Sequence, residues 1–256
     1  MNIEKMFFIP GMFSSGRAFR HYVSFFSEKG FNCQAIEYCR PPNSSLGRVG
    51  LEYYTKGVLE EIESGSIIIG HSMGGLIAQK IIAGRDDVKA AVLLAPASPY
   101  GILALRYSVI KSFWPVLSDL SFWQNKWEIG IDFSYKQARY ALLNRIESEA
   151  ERREIYDGFT PESGRVAGEI GFWPLDPKKA SWVDESRVTC PILVIVGGKD
   201  RITPPGVAKA VAKKYRKQTA VTFKKFRQNG HWLLAEANWK EICEFIYRWL
   251  INIDKK

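Results

Sequence analysis

Two short segments, 67–69 and 191–196, are apolar at every position, and 88–94 is nearly so. Runs of this length, rich in β-branched residues and bounded by Gly or Pro, predict strands buried on both faces, as in a parallel sheet. Phe7-Phe8-Ile9 and the segments 31–37 and 219–226 extend the set to six. Between these runs the apolar spacing changes to three and four. Residues 15–29 set Phe19, Tyr22, Val23 and Phe26 on one helical face, with Gly30 as the stop. Residues 46–63 predict a second helix, and 76–82 a third. After Pro205, Val207, Ala208, Val211 and Ala212 form an inward face between lysines. The last helix carries a stripe of Trp239, Ile242, Phe245, Ile246, Trp249 and Leu250. Strands alternating with helices predict an α/β fold with a parallel sheet and right-handed crossovers.

The rhythm fails between Tyr100 and about Arg187. This stretch holds Tyr107, Phe113, Trp114, Phe122, Trp123, Trp127, Phe133, Tyr135 and Tyr140, then a charged helical piece over 144–157, then Phe172, Trp173 and Trp182. Several apolar faces per helix would erase the period. Such aromatics either glue helices together or line a pocket, and the sequence does not sort them.

Composition narrows the class. At 256 residues and 46% apolar the chain can bury a substantial core. No stretch of about eighteen apolar residues predicts a transmembrane helix, and the N-terminus lacks a secretory pattern, so the expectation is a cytoplasmic protein without integral membrane association. Cys33, Cys39, Cys190 and Cys243 have neither zinc spacing nor disulfide-scaffold density. The net charge of +9 is concentrated in Lys209, Lys213, Lys214, Arg216, Lys217, Lys224, Lys225 and Arg227. A solvated helix face explains most of that excess, and no nucleic-acid partner is expected.

The chemistry lies in Gly70-His71-Ser72-Met73-Gly74-Gly75. A strand that turns into a helix through G-x-S-x-G is a nucleophile elbow. The serine sits at strained angles, and side chains at 70 or 74 would collide with neighbouring backbone. Asp200 follows the strand 191–196, and His231 follows the strand 219–226. The alternatives are a turn serine, a turn aspartate and a packed histidine. Of the other histidines, His21 falls in a helix, and His71 should point away from the nucleophile.

Together, Phe8-Ile9-Pro10-Gly11-Met12, the elbow, Gly198-Lys199-Asp200-Arg201-Ile202-Thr203-Pro204 and Gly230-His231-Trp232 resemble the four diagnostic stations of the α/β-hydrolase superfamily. The resemblance covers nearly the whole chain and is weakest over 100–186. It implies a mostly parallel six-stranded sheet in the order 2-1-3-4-5-6, a core of residues 1–99 and 187–256, and a helical cap over 100–186. It implies a catalytic triad of Ser72, Asp200 and His231, an oxyanion hole of the Met12 and Met73 amides, and no cofactor or metal. The family often has His-Gly where this chain has Pro10-Gly11; Pro10 removes a side-chain donor and leaves the Met12 amide available.

The expected activity is serine-esterase hydrolysis of a small-molecule ester with an apolar acyl group. Thioester hydrolysis and carbon–carbon bond hydrolysis use the same constellation, and a non-catalytic small-molecule receptor could keep the fold. Serine at the elbow disfavours epoxide hydrolases and dehalogenases, which resemble this scaffold but carry aspartate there.

Overall fold

The computed structural model describes residues 4–104 and 106–253. Its first half runs β1 (Lys5–Ile9), α1 (Arg20–Glu28), β2 (Asn32–Ala35), α2 (Asn43–Leu46), α3 (Leu51–Glu61), β3 (Ile67–His71), α4 (Met73–Gly84) and β4 (Ala90–Leu94). A long insertion follows: α5 (Tyr107–Leu117), α6 (Leu120–Gln124), β5 (Gly130–Ile131), α7 (Tyr135–Ala141), α8 (Glu149–Asp157), β6 (Glu162–Ser163) and α9 (Gly164–Gly171). The chain then returns through β7 (Ile192–Gly197), α10 (Pro205–Tyr215), β8 (Val221–Phe226) and α11 (Trp239–Ile253).

Six strands form one sheet in the order β2-β1-β3-β4-β7-β8, and every pairing is parallel. The pleat sends alternate residues to opposite cores. Met6, Phe8, Ile67, Ile69, Val92 and Leu193 pack toward α1 and α11. Phe7, Ile9, Ile68, Leu93 and Val194 pack toward α3, α4 and α10. Both faces are therefore dry, which is why the central strands read as unbroken apolar runs.

Helix boundaries differ from the periodic reading for local reasons. The expected helix over 46–63 is broken between α2 and α3. There a Cβ at Gly47 would lie 2.6 Å from the Glu128 and Ile129 backbone, and one at Gly50 would lie 2.7 Å from Glu169 Oε1. The inserted segment presses directly on this turn. The expected helix over 15–29 opens as a 3-10 turn, Gly16–Phe19, before α1. The charged piece expected from 144 starts at Glu149, where the Ser148 hydroxyl caps the Glu151 amide.

Buried polar groups fasten the insertion to the sheet. Glu162 is fully buried, accepts from Tyr54 Oη at 2.6 Å and pairs with Arg40 at 3.2 Å. Glu169 caps α3 by accepting from the Leu51 amide at 2.6 Å. The Thr160 amide donates to the Phe13 carbonyl at 2.9 Å.

Candidate active site

Ser72 is the single residue between β3 and α4, at φ 54 and ψ −118. A non-glycine residue there is strained, so the surroundings must hold it. They do so by close backbone approach. A Cβ on Gly70 would lie 2.3 Å from the Gly74 carbonyl oxygen, and one on Gly74 would lie 2.1 Å from that of Ile9. On the other flank the Ser72 amide donates to Leu94 O at 3.0 Å, and Ser72 O accepts from the Ala97 amide at 2.8 Å. The elbow is clamped between the ends of β1 and β4. Met73 opens α4, so its amide has no carbonyl one turn back to satisfy it.

Asp200 lies three residues past β7 and is buried. Its Oδ1 accepts from the Ile202 and Thr203 amides, both at 2.8 Å, which fixes the carboxylate. Its two oxygens stand 3.0 and 2.9 Å from Nδ1 of His231, whose side chain is fully buried. Carboxylate oxygens only accept, so Nδ1 donates to them, and in the neutral imidazole that leaves the lone pair on Nε2. Nε2 is buried and has no hydrogen-bond partner. The two loops meet because a Cβ at Gly197 would be 2.0 Å from Gly230 O; glycine lets the His231 loop rest on the end of β7.

Two residues escaped the sequence reading. His71 was expected to face away; instead it lines the same cavity as Ser72, with its ring centroid 4.9 Å from that of His231. His71 Nε2–H donates to the His231 carbonyl at 2.9 Å. Burial and the neighbouring imidazole push its pKa down to about 3, so it is neutral. Glu236 is also buried, and both carboxyl oxygens lie 2.9 Å from the Gly230 amide they accept from. Burial raises its pKa to about 7; Asp200 adds to the rise, while Gly230, Asn229 and His231 oppose it. Neither has a sequence signal: the His71 partner lies 160 residues away, and the Glu236 carboxyl reads as surface charge until the fold buries it.

Ser72, His231, Met12 and Met73 border one cavity of about 110 Å³. The rest of its wall is almost wholly apolar and separates the insertion's aromatics. Phe113, Phe122, Phe133 and Phe172 line it, whereas Tyr107, Trp114, Trp123 and Trp182 are exposed. Trp127 packs behind Phe122 and Phe172. Among the described residues no cluster of three His, Cys, Asp or Glu side chains could hold a metal, and no helix is long and apolar enough to cross a membrane.

Known structures share this architecture across their whole length. A monoacylglycerol lipase from Paleococcus ferrophilus superposes with a TM-score of 0.68 at 17% identity, covering 97% of this chain and 94% of that one. An extracellular α/β-hydrolase from a Paenibacillus species gives 0.69 at 18%, with 96% and 98% covered. Tomato methylketone synthase I, complexed with 2-tridecanone, gives 0.71 at 14%, with 100% and 99% covered. At such identities the likeness carries the fold alone. No curated protein sequence matches. The sequence model of the alpha/beta hydrolase family, however, matches residues 6–245. With the elbow, the all-parallel sheet and that match in agreement, this chain belongs to the alpha/beta hydrolase family and is a hydrolase.

Proposed function

We propose that the protein hydrolyses carboxylic esters of an apolar acyl group, with Ser72 as nucleophile, His231 as base and Asp200 as the group that orients it. The observation that carries this reading is the shared cavity: a strained elbow serine and a buried, unpartnered imidazole nitrogen border one apolar chamber. In the first step Ser72 Oγ bonds to the ester carbonyl carbon while its proton passes to His231 Nε2. The oxygen becomes an oxyanion, which the Met12 and Met73 amides hold, each such donor typically contributing about 10²–10³ in rate. Collapse breaks the bond to the alcohol, which leaves with the proton from His231. Water then gives its proton to Nε2 and attacks the acyl carbon; collapse breaks the acyl bond to Ser72 Oγ, which takes that proton back from Nε2 as the acid leaves. Asp200 keeps the Nδ1 proton in place and stabilises the imidazolium.

His71 and Glu236 support this geometry through the backbone on either side of His231. The segment 100–186 serves as the cap, and its inward phenylalanines select the acyl chain. A fluorophosphonate probe tests the nucleophile: prompt labelling at Ser72 is expected, and an inert serine would overturn its assignment as nucleophile. A matched series of esters and thioesters then decides the leaving group. Faster turnover of esters is expected, and a strong preference for thioesters would overturn that choice.

A further inference from the structure

Helix α5 is apolar over about half of its circumference, and that half runs from the cavity wall out to the surface. Val109, Phe113, Val116 and Leu117 face the cavity. Tyr107, Ile110 and Trp114, spaced by three and four, fall within an adjoining arc of about 60° that turns from the cavity toward solvent. Tyr107 is 78% exposed and Trp114 60%. Two residues after α5, α6 repeats the arrangement: Phe122 lines the cavity while Leu120 is 72% exposed and Trp123 stands outside. The Trp123 indole N–H donates to Leu117 O at 2.9 Å, joining the two outer faces. A surface helix normally turns charge toward water, and a contiguous apolar face of this kind marks something that covers it.

The surrounding charge says what. Arg106, Lys111 and Lys126 border the face and are exposed, against a single acid, Asp119, in 103–127. Lys111 lies over the rings of Tyr107 and Tyr140, at 6.0 and 4.8 Å from their centroids. Arg106 reaches the start of α10, with Nη2 3.7 Å from where a Cβ on Gly206 would stand. Exposed Lys209 and Lys213 continue the basic strip along that helix. Exposed Trp, Tyr and Leu within a cationic border match the interfacial zone of a bilayer, where aromatic rings sit at headgroup level and Lys or Arg meet anionic lipid. Ile110 both lines the cavity and is partly exposed, so the face is continuous with the chamber.

We propose that the outer face of α5 and α6 docks on an anionic phospholipid surface, with Trp114 and Leu120 entering the headgroup layer and Arg106, Lys209 and Lys213 meeting lipid phosphates. The protein lies on the membrane and does not cross it. This docking goes beyond the esterase reading and does not depend on it.

Sedimentation of the full chain with vesicles tests the proposal, using phosphatidylcholine alone and phosphatidylcholine mixed with phosphatidylglycerol. Binding to the mixed vesicles is expected, weakened by salt and by removal of the anionic lipid. The double variant Trp114→Glu/Leu120→Glu should lose binding at least about tenfold. Its hydrolysis of a water-soluble short-chain ester should be unchanged, since neither residue lines the cavity. A second variant, Arg106→Glu/Lys209→Glu, should lose preference for anionic vesicles while its thermal unfolding stays that of the parent. Failure of the parent to bind either vesicle overturns the proposal, as does binding that both variants retain. So does a dimer in sedimentation velocity that Trp114→Glu dissociates, which would assign the face to a second copy. Vesicle binding is read without turnover, so an inactive Ser72 would leave this result interpretable.

Discussion

Replacing Glu236 by Gln keeps the size of the side chain and one acceptor for the Gly230 amide but removes the ability to ionise. The carboxyl is buried and its pKa stands at about 7 against an ordinary 4.5. Burial is the main cause, with the negative Asp200 adding to it. A folded-state value above the unfolded one means that the protonated acid is the form the fold favours. The stability it confers is complete below pH 4.5 and is lost as pH rises through 7. The full span is about 3 kcal/mol, from 1.36 kcal/mol for each pH unit of displacement. The glutamine variant carries no such loss. Urea unfolding of both proteins at pH 5 and pH 8 reads the effect as a difference of differences. Any fixed cost of the new amide group appears at both pH values and cancels. Relative to the parent, Glu236→Gln should gain about 2.5 kcal/mol between the two conditions, since part of the span is already lost at pH 5. Parallel stability profiles would refute the reasoning, because they would mean that Glu236 titrates alike in the folded and unfolded chains.

Other expectations concern the site itself. Ser72→Ala and His231→Ala should each abolish ester turnover, and the double variant should lose little more than either alone; a His231→Ala enzyme that kept most of its rate would end the assignment. Gly74→Ala places a Cβ 2.1 Å from the Ile9 carbonyl oxygen, and the forced shift of backbone should cost more than about 3 kcal/mol, visible as a large fall in melting temperature. On a homologous ester series, kcat/KM should rise with acyl length at roughly 0.8 kcal/mol per buried methylene and then fall. Ala167→Leu narrows the chamber and should move that maximum to a shorter chain; an unmoved or flat profile would show that the cavity wall does not select the acyl group.

The central strands that position the site are visible in the sequence because burial on both faces leaves them almost wholly apolar. β3 and β7 are the plainest cases. The elbow is equally legible, since its glycines answer a backbone requirement local to a few residues. The insertion is not. α5 is apolar toward the cavity through Phe113 and apolar toward solvent through Trp114, so no single face emerges from its spacing. The break between α2 and α3 depends on Gly47 meeting Glu128 and Ile129, about eighty residues away. His71 is illegible for the same reason, since its hydrogen bond to the His231 carbonyl spans 160 residues; Glu236 bonds an amide only six residues away, but in the sequence it reads as ordinary surface charge until the fold buries it.

The insertion leaves from β4 and returns to β7, although these strands are neighbours and Leu94 pairs with Ile195. During folding, that seam closes a loop of about 100 residues, at an entropic cost of about 4 kcal/mol against about 3 for the short loops that join β3 to β4 or β7 to β8. The sheet therefore has a natural order of assembly, with two locally connected halves and a late joint between them. Ser72 belongs to the first half, while Asp200 and His231 belong to the second. A chain that has formed most of its strands but not this joint holds Ser72 apart from Asp200 and His231. If Ser72, His231 and Asp200 work together as proposed, a newly made chain stays unreactive toward esters until that seam of its sheet has closed.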